Sequence, residues 1–391
     1  MNKIFTGRRA RRERGAVAVQ VALLLITLLG CAAMALDIGR WVVVRHQLQN
    51  AADAAALAGV RTLPGQLAAS AVPAVWATAT TAATTAATQY ASANNANGQA
   101  ASAQTISVGY WDVANVPSSV PSSLPQTITS TTVKPAVIVT VSLAGGANLP
   151  LVLGALVGVP SLQASATSVA VVSAPGVALP GALFPIALNQ CVYQNAAFWK
   201  NGQPITGAEI EIGNGAPSNC IGAAAQWTAL TIDSNSSAYG PCAGMSPSNV
   251  QTAYCLMNSG NGPAIGTGTK ISIQPGVESS IYNNFPLTPP LMVTVPVVAD
   301  GTVMSGSGGG GDTPVVGFAS LQIDYVIGAN GKSTPACNSN SLCSPAPCTK
   351  CVIAHLIADR AGSTTAGGTT SSYYGALTPP VLAALPSSVW Y

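Results

Sequence analysis

Four thiols lie within 15 residues late in the chain: Cys337, Cys343, Cys348 and Cys351, the last two in Cys-Thr-Lys-Cys. Three chemistries use such a cluster. A zinc knot needs four thiolates converging tetrahedrally. A redox Cys-x-x-Cys needs a thioredoxin-like βαβ setting, and no such pattern flanks these residues. The third is a set of structural disulfides, the ordinary state of paired cysteines in an oxidising compartment. We read the cluster this way. Cys191, Cys220, Cys242 and Cys255 bring the thiols beyond residue 36 to an even eight. Eight cysteines allow 105 pairings, so connectivity stays open; Cys242 with Cys255 is a plausible local pair.

Groups that could attack or move protons are scarce. The chain holds two histidines, His46 and His355. His355 sits in the strand-like run VIAHLIAD, where a structural role is expected. Neither HExxH nor GxSxG occurs, so the zinc-protease helix and the serine-hydrolase elbow lack their residues. Gly306 to Gly311 formally fits GxGxxG, but Asp-Thr-Pro follows instead of a helix whose N-terminus could hold a pyrophosphate. Gly331-Lys332-Ser333 copies the end of a P-loop, yet Val326 stands where the first glycine belongs and Pro335 blocks a long helix. We therefore expect no catalytic, cofactor-binding or metal-ligating residues, no cofactor, and no enzyme.

The elements around these residues are set by charge and hydropathy. Charged residues make up 7% of the chain, against roughly 25% in ordinary soluble domains. Residues 1–14 hold six Lys/Arg and one Glu, while Leu63 to Tyr391 holds six Lys/Arg and nine acids. The body is thus acidic and offers no basic patch for nucleic acid. Between them, Ala16 to Leu36 is a run of 21 residues without a charge. At about 1.5 Å per residue it spans about 30 Å, the hydrocarbon thickness of a bilayer. It exceeds the roughly 7–15 residues of a signal-peptide core, so we read an uncleaved anchor. The basic flank puts the N-terminus in the cytoplasm.

From Asp37 to Arg61 the helical period continues. Trp41, Val44, Leu48, Ala51, Ala55 and Ala58 recur at three- and four-residue steps, giving a seam for packing against the membrane region or a partner. Asp37 and Arg40, three apart, are expected to pair at the membrane boundary. Pro64-Gly65 stops the helix. Leu67 to Tyr90, rich in Ala and Thr, reads as a second helix interrupted by Pro73. Strands are expected at 106–111, 136–143, 162–172, 208–212, 227–232, 270–273, 292–298, 315–327 and 351–357. Leu149 to Val159 is apolar but too short to span, and reads as a buried helix or a segment lying on the bilayer. Tyr373-Tyr374 and Trp390-Tyr391 are contact aromatics or a cover for the β domain's own core.

The first 61 residues resemble the N-terminal segment of TadE/TadG-like Flp pilus-assembly proteins. The resemblance rests on RRERGAVAVQVALLL, then ALDIGR, then HQLQNAADAAALAG. A less specific likeness to the exported region of TadG-like proteins rests on the strands near 136–172 and on VPVVAD…VVGFASLQIDYV. The resemblance implies a bacterial inner-membrane protein of the tight-adherence secretion machinery. Prepilin-like members carry a cleaved glycine with Glu five residues on; here Gly15 is followed by Gln20. Some relatives carry a von Willebrand A domain, whose metal site needs Asp-x-Ser-x-Ser. Asp233-Ser234-Asn235-Ser236-Ser237 has Asn235 at the first of those serines, so metal binding is not expected.

The resulting expectation is an α+β chain: a transmembrane helix continuing into a helical stem, then a mainly antiparallel, disulfide-containing exported region. We divide it into a cytoplasmic tail (1–14), a span (15–36), a stem of two helices (37–104), a small β-containing region (105–174) and a cysteine-containing periplasmic domain (175–391). The expected role is a non-catalytic assembly component of a Tad/Flp pilus system, with the lipid bilayer and other assembly proteins or pilin subunits as partners. Alternatives are a minor pilin-like subunit cleaved at Gly15, a surface adhesin with a degenerate metal site and, more remotely, an envelope hydrolase.

Overall fold

The computed structural model describes residues 10–63, 73–114, 133–200, 203–212, 225–230, 237–245, 250–274, 279–300, 312–336, 350–361, 364–366 and 372–385. A long N-terminal helix is followed by a mostly antiparallel β-rich region. The chain divides into two compact units. One comprises Met1–Ala56, Ala86–Ile106 and Ile138–Ser168, the other Leu57–Thr85, Ser107–Val137 and Val169–Tyr391.

Helix α1 runs unbroken over Ala10–Val60, 51 residues. Its Val17–Val60 portion is long and apolar enough to cross a membrane. Its side chains change character along its length. Leu23, Leu24, Ile26, Leu28 and Leu29 are each at least 60% exposed, whereas Val44, Leu48, Ala51, Ala52, Ala55 and Ala56 are buried. No proline interrupts the helix, and the open space around Gly30 and Gly39 leaves them without a packing reason.

Helix α2 covers Pro73–Ser92. Pro73, expected to interrupt a helix, instead begins one, since its missing N–H is free of cost in the first turn. Ala79, Ala83, Ala87 and Ala91 form a buried stripe at four-residue steps. Two of the threonines on this helix satisfy their hydroxyls within it, Thr81 donating to the Ala77 carbonyl and Thr85 to that of Thr81.

Between residues 149 and 162 the structure has a hairpin in place of the buried helix that was one of the two expectations. Leu149–Pro150 and Ser161–Leu162 pair antiparallel, closed by a 3₁₀ turn at Gly154–Val157. Pro150 and Pro160 bracket the segment, and Gly158 takes a left-handed φ of 86° to end the turn. Gly154 and Gly158 weaken any helix between the two prolines, and Pro160 would stop it.

The larger sheet is built on Asp312–Ile327, 16 residues long. It pairs antiparallel with Leu291–Val298 on one side and Cys351–Ile357 on the other. Glu209–Ile212 extends the second edge antiparallel, and Ile186–Asn189 extends the first in parallel. Alternation sends Ile210, Ile212, Val352, Ala354, Leu321 and Ile323 into one core with Trp227 and Tyr282. The buried Trp227 indole donates to the Tyr282 hydroxyl at 3.0 Å, so its one polar atom is satisfied. Gly317 allows a close approach: a Cβ there would lie 2.5 Å from the Tyr374 ring.

A four-stranded sheet has Val381–Leu382 at one edge, then Ser165–Val171, Val133–Ser142 and Ser102–Asp112. Cys242 and Cys255 form a disulfide, joining a 3₁₀ segment to helix α3, Val250–Ser259. Cys191 and Cys351 are disulfide-bonded as well. Cys220, Cys337, Cys343 and Cys348 lie outside the described residues, as do the GxGxxG-like run, Pro64-Gly65 and Trp390-Tyr391.

Candidate functional site: a carboxylate clamp

The most specific polar construction in the first unit begins one residue after the uncharged run. Asp37 lies on α1, and its carboxylate accepts three backbone hydrogen bonds from the 149–162 hairpin. Val152 donates to Oδ1 at 2.8 Å; Leu153 and Gly154 donate to Oδ2 at 2.8 and 3.2 Å. These amides open a 3₁₀ turn, where backbone donors have no partner within the turn. The bonds from Val152, Leu153 and Gly154, together with the nearby Arg40 charge, hold the Asp37 carboxyl below its ordinary value against the opposing effect of burial.

Gly154 is required here by space. A Cβ would sit 2.4 Å from the Val159 carbonyl oxygen and 2.5 Å from Leu151 Cδ1. The same Val159 returns its N–H to the Gly154 carbonyl at 2.8 Å. The turn and the clamp are therefore one unit.

The expected side-chain pair between Asp37 and Arg40 takes another form. Arg40 donates from Nη2 to Asn97 Oδ1 at 3.1 Å and from Nη1 to the Pro150 carbonyl at 3.4 Å, and acts on Asp37 through space. The reason is competition: three amides already occupy the carboxylate, and the longer guanidinium reaches carbonyl and amide oxygens farther off. Two residues the sequence did not single out continue the arrangement along α1. Gln47 accepts from the Asn97 N–H at 2.9 Å, and Gln49 donates to Asp53 at 2.8 Å and to the Thr167 carbonyl at 3.3 Å. Their i, i+2 spacing carries no signal until the strands beside them are known.

Of the six seam residues, Val44, Leu48, Ala51 and Ala55 are buried within the chain itself, and Trp41 and Ala58 are half-buried. Arg45 stacks its guanidinium 5.2 Å above the Trp41 ring. Beside Asp37 lies a cavity of about 390 Å³ with an almost wholly apolar lining, formed by Met34, Ile38, Trp41, Leu151, Leu153 and Leu162.

The second unit holds the only histidine in the strands. His355 pairs across the sheet with Gln322 and Glu209. Its Nδ1 lies 2.7 Å from Asp324 Oδ2, and Gln322 donates to the other Asp324 oxygen at 2.9 Å. Asp324 reaches the ring because the register shifts between Ile323 and Tyr325. This is an imidazole with an orienting carboxylate, but among the described residues no hydroxyl or thiol hydrogen-bonds the ring. Among the described residues, too, no three His, Cys, Asp or Glu gather as a metal site. Asp233 to Ser236 lie outside them.

Two sequence motifs gain a definite place. Ser333–Thr334 pairs antiparallel with Val326 and Ile327, so the P-loop-like residues sit in a strand turn and not before a helix. Tyr373 and Tyr374 pack with Tyr193 and Trp199, the Tyr193 and Tyr374 ring centroids 4.7 Å apart. Burial pushes the phenols of Tyr193, Tyr373 and Tyr374 up. These aromatics cover the β-rich region's own core.

With this geometry in hand, the comparisons are specific. Residues 15–62 match the family model described as Flp pilus-assembly TadE/G-like. Residues 67–170 match that described as Tad-like Flp pilus-assembly. No curated protein matches the chain, and no solved structure does. Both halves of the clamp, Asp37 and the hairpin, fall within the matched residues.

Proposed function

We propose that this is a TadG-like protein of Flp pilus assembly, a non-catalytic structural component of a bacterial tight-adherence system held in the inner membrane by α1; the matches over residues 15–62 and 67–170 support the reading. The N-terminus faces the cytoplasm and the disulfide-containing β-rich region faces the periplasm. The observation that carries the reading is the change of character along α1: an exposed apolar stretch long enough for a bilayer, then a buried alanine-rich stretch with Asp37 at the junction. Basic residues ahead of the run support the orientation. Eight cysteines beyond it suit an oxidising compartment.

The direct partners in this reading are pilus subunits or other assembly proteins, reached through the exported surface. Deleting the gene should abolish piliation and attachment, with restoration by the intact chain; piliation unchanged in the deletion strain would reject the assignment. Alkaline phosphatase fused after residue 385 should be active, and a fusion placed ahead of Ala16 inactive. The pilin-like alternative predicts a mature protein beginning at Ala16. Gln20 in place of the carboxylate, and the continuity of α1 through Gly15, favour the intact N-terminus, which mass spectrometry of the purified protein decides.

A further inference from the structure

We propose that the 149–162 hairpin is a second membrane contact, its tip entering the acyl layer of the periplasmic leaflet and the adjoining cavity holding a phospholipid acyl chain. The inference rests on the reading of α1 as an anchor.

Position comes first. Asp37 is the first residue past the uncharged run, and its carboxylate touches the backbone of Val152, Leu153 and Gly154. The hairpin tip is thereby held at the level where hydrocarbon ends. Composition agrees: residues 149–162 contain no charge. Three of their apolar side chains face outward, Val152 65%, Val159 45% and Leu162 40% exposed, beside Leu36 at 70% and Ile38 at 57%. Exposed apolar side chains thus lie on the span, around the cavity and on the hairpin, a surface that water would disfavour and acyl chains would cover.

The backbone supplies an independent observation. Irregular backbone is excluded from lipid because unpaired amides there are costly. Six amides of this tip are used. Asp37 takes those of Val152, Leu153 and Gly154; Leu151 donates to Pro160, and Gly158 and Val159 both donate to Gly154. Trp41, under the Arg45 guanidinium, is an amphipathic ring at the same depth, as in interfacial aromatic belts. Apart from Gly154 and from Asp37, whose carboxylate is taken up by three amides, the cavity lining is aliphatic and aromatic, which selects an acyl chain over a headgroup.

The test uses the full chain with Cys31→Ser, reconstituted alone into phosphatidylethanolamine/phosphatidylglycerol vesicles. A small thiol-reactive fluorophore is placed at Val152→Cys and, in a second protein, at Leu25→Cys. Lipids carrying a nitroxide high on the acyl chain should quench the probe at 152, and aqueous iodide should not. Quenching at 152 by iodide and not by lipid overturns the inference while lipid quenching at 25 upholds the anchor. Loss of lipid quenching at 25 overturns the anchor and the inference with it. A partner helix as the cavity's occupant would give the lipid-free result here, because no partner is present.

Discussion

Asp37 shows how one side chain ties a helix to a loop more than a hundred residues away. Asp37→Ala removes the acceptor for three amides at once, so hydrogen exchange at Val152, Leu153 and Gly154 should accelerate while the central strand Asp312–Ile327 keeps its protection. The clamp also has a pH signature. Its folded pKa lies below the ordinary 3.8, so its stabilising effect is complete above that value and disappears as pH falls through the lower, folded value. Exchange at the three amides, normalised for intrinsic rates, should be flat from neutrality to pH 5 and rise only in strong acid. A rise between pH 6 and 7 would mean that another group holds the turn. At Gly317, introducing Ala drives a Cβ into the Tyr374 ring and should destabilise by about 1–3 kcal/mol, as overpacking does. Denaturant unfolding of the variant measures this.

Among the elements, helix α1 and most of the strands were legible because their signals are local, whereas the strand expected at 227–232 ends at Trp227 among the described residues. A run of 21 uncharged residues admits few folds, and the alternating stretches 292–298, 315–327 and 351–357 each lie within or coincide with an observed strand. The 149–162 hairpin was not legible. Its apolar run carries no period, and its conformation follows from Pro150, Gly154, Gly158 and Pro160 acting together with an acceptor on another element. Pro73 was misjudged for a related reason: a proline starts or breaks a helix according to what precedes it. The Asp37 clamp could be suspected as a charge at a membrane boundary, but its partners required the fold. Leu48, fully buried on α1, is the seam's largest wholly buried member. Leu48→Ala should cost about 2–5 kcal/mol, read as a lowered thermal midpoint in detergent, whereas Leu28→Ala on the exposed apolar stretch should leave that midpoint unchanged.

At the scale of the whole molecule, covalent closure adds to the packing of the β-rich region. The Cys242–Cys255 bond closes a loop with a sequence separation of 13. Replacing both cysteines by Ser should cost about 3 kcal/mol by the loop-closure argument, measured by denaturation under non-reducing conditions. Helix α1 has a different consequence. About 36 Å of it lies beyond Leu36 at the usual rise per residue, with no proline to act as a joint. With α1 as the proposed anchor, it is a lever with its fulcrum in lipid: changing the tilt of the span by about 10° sweeps the Val60 end sideways by about 6 Å. Bilayer thickness, which sets that tilt, thereby becomes a mechanical input to whatever the far end of the rod engages.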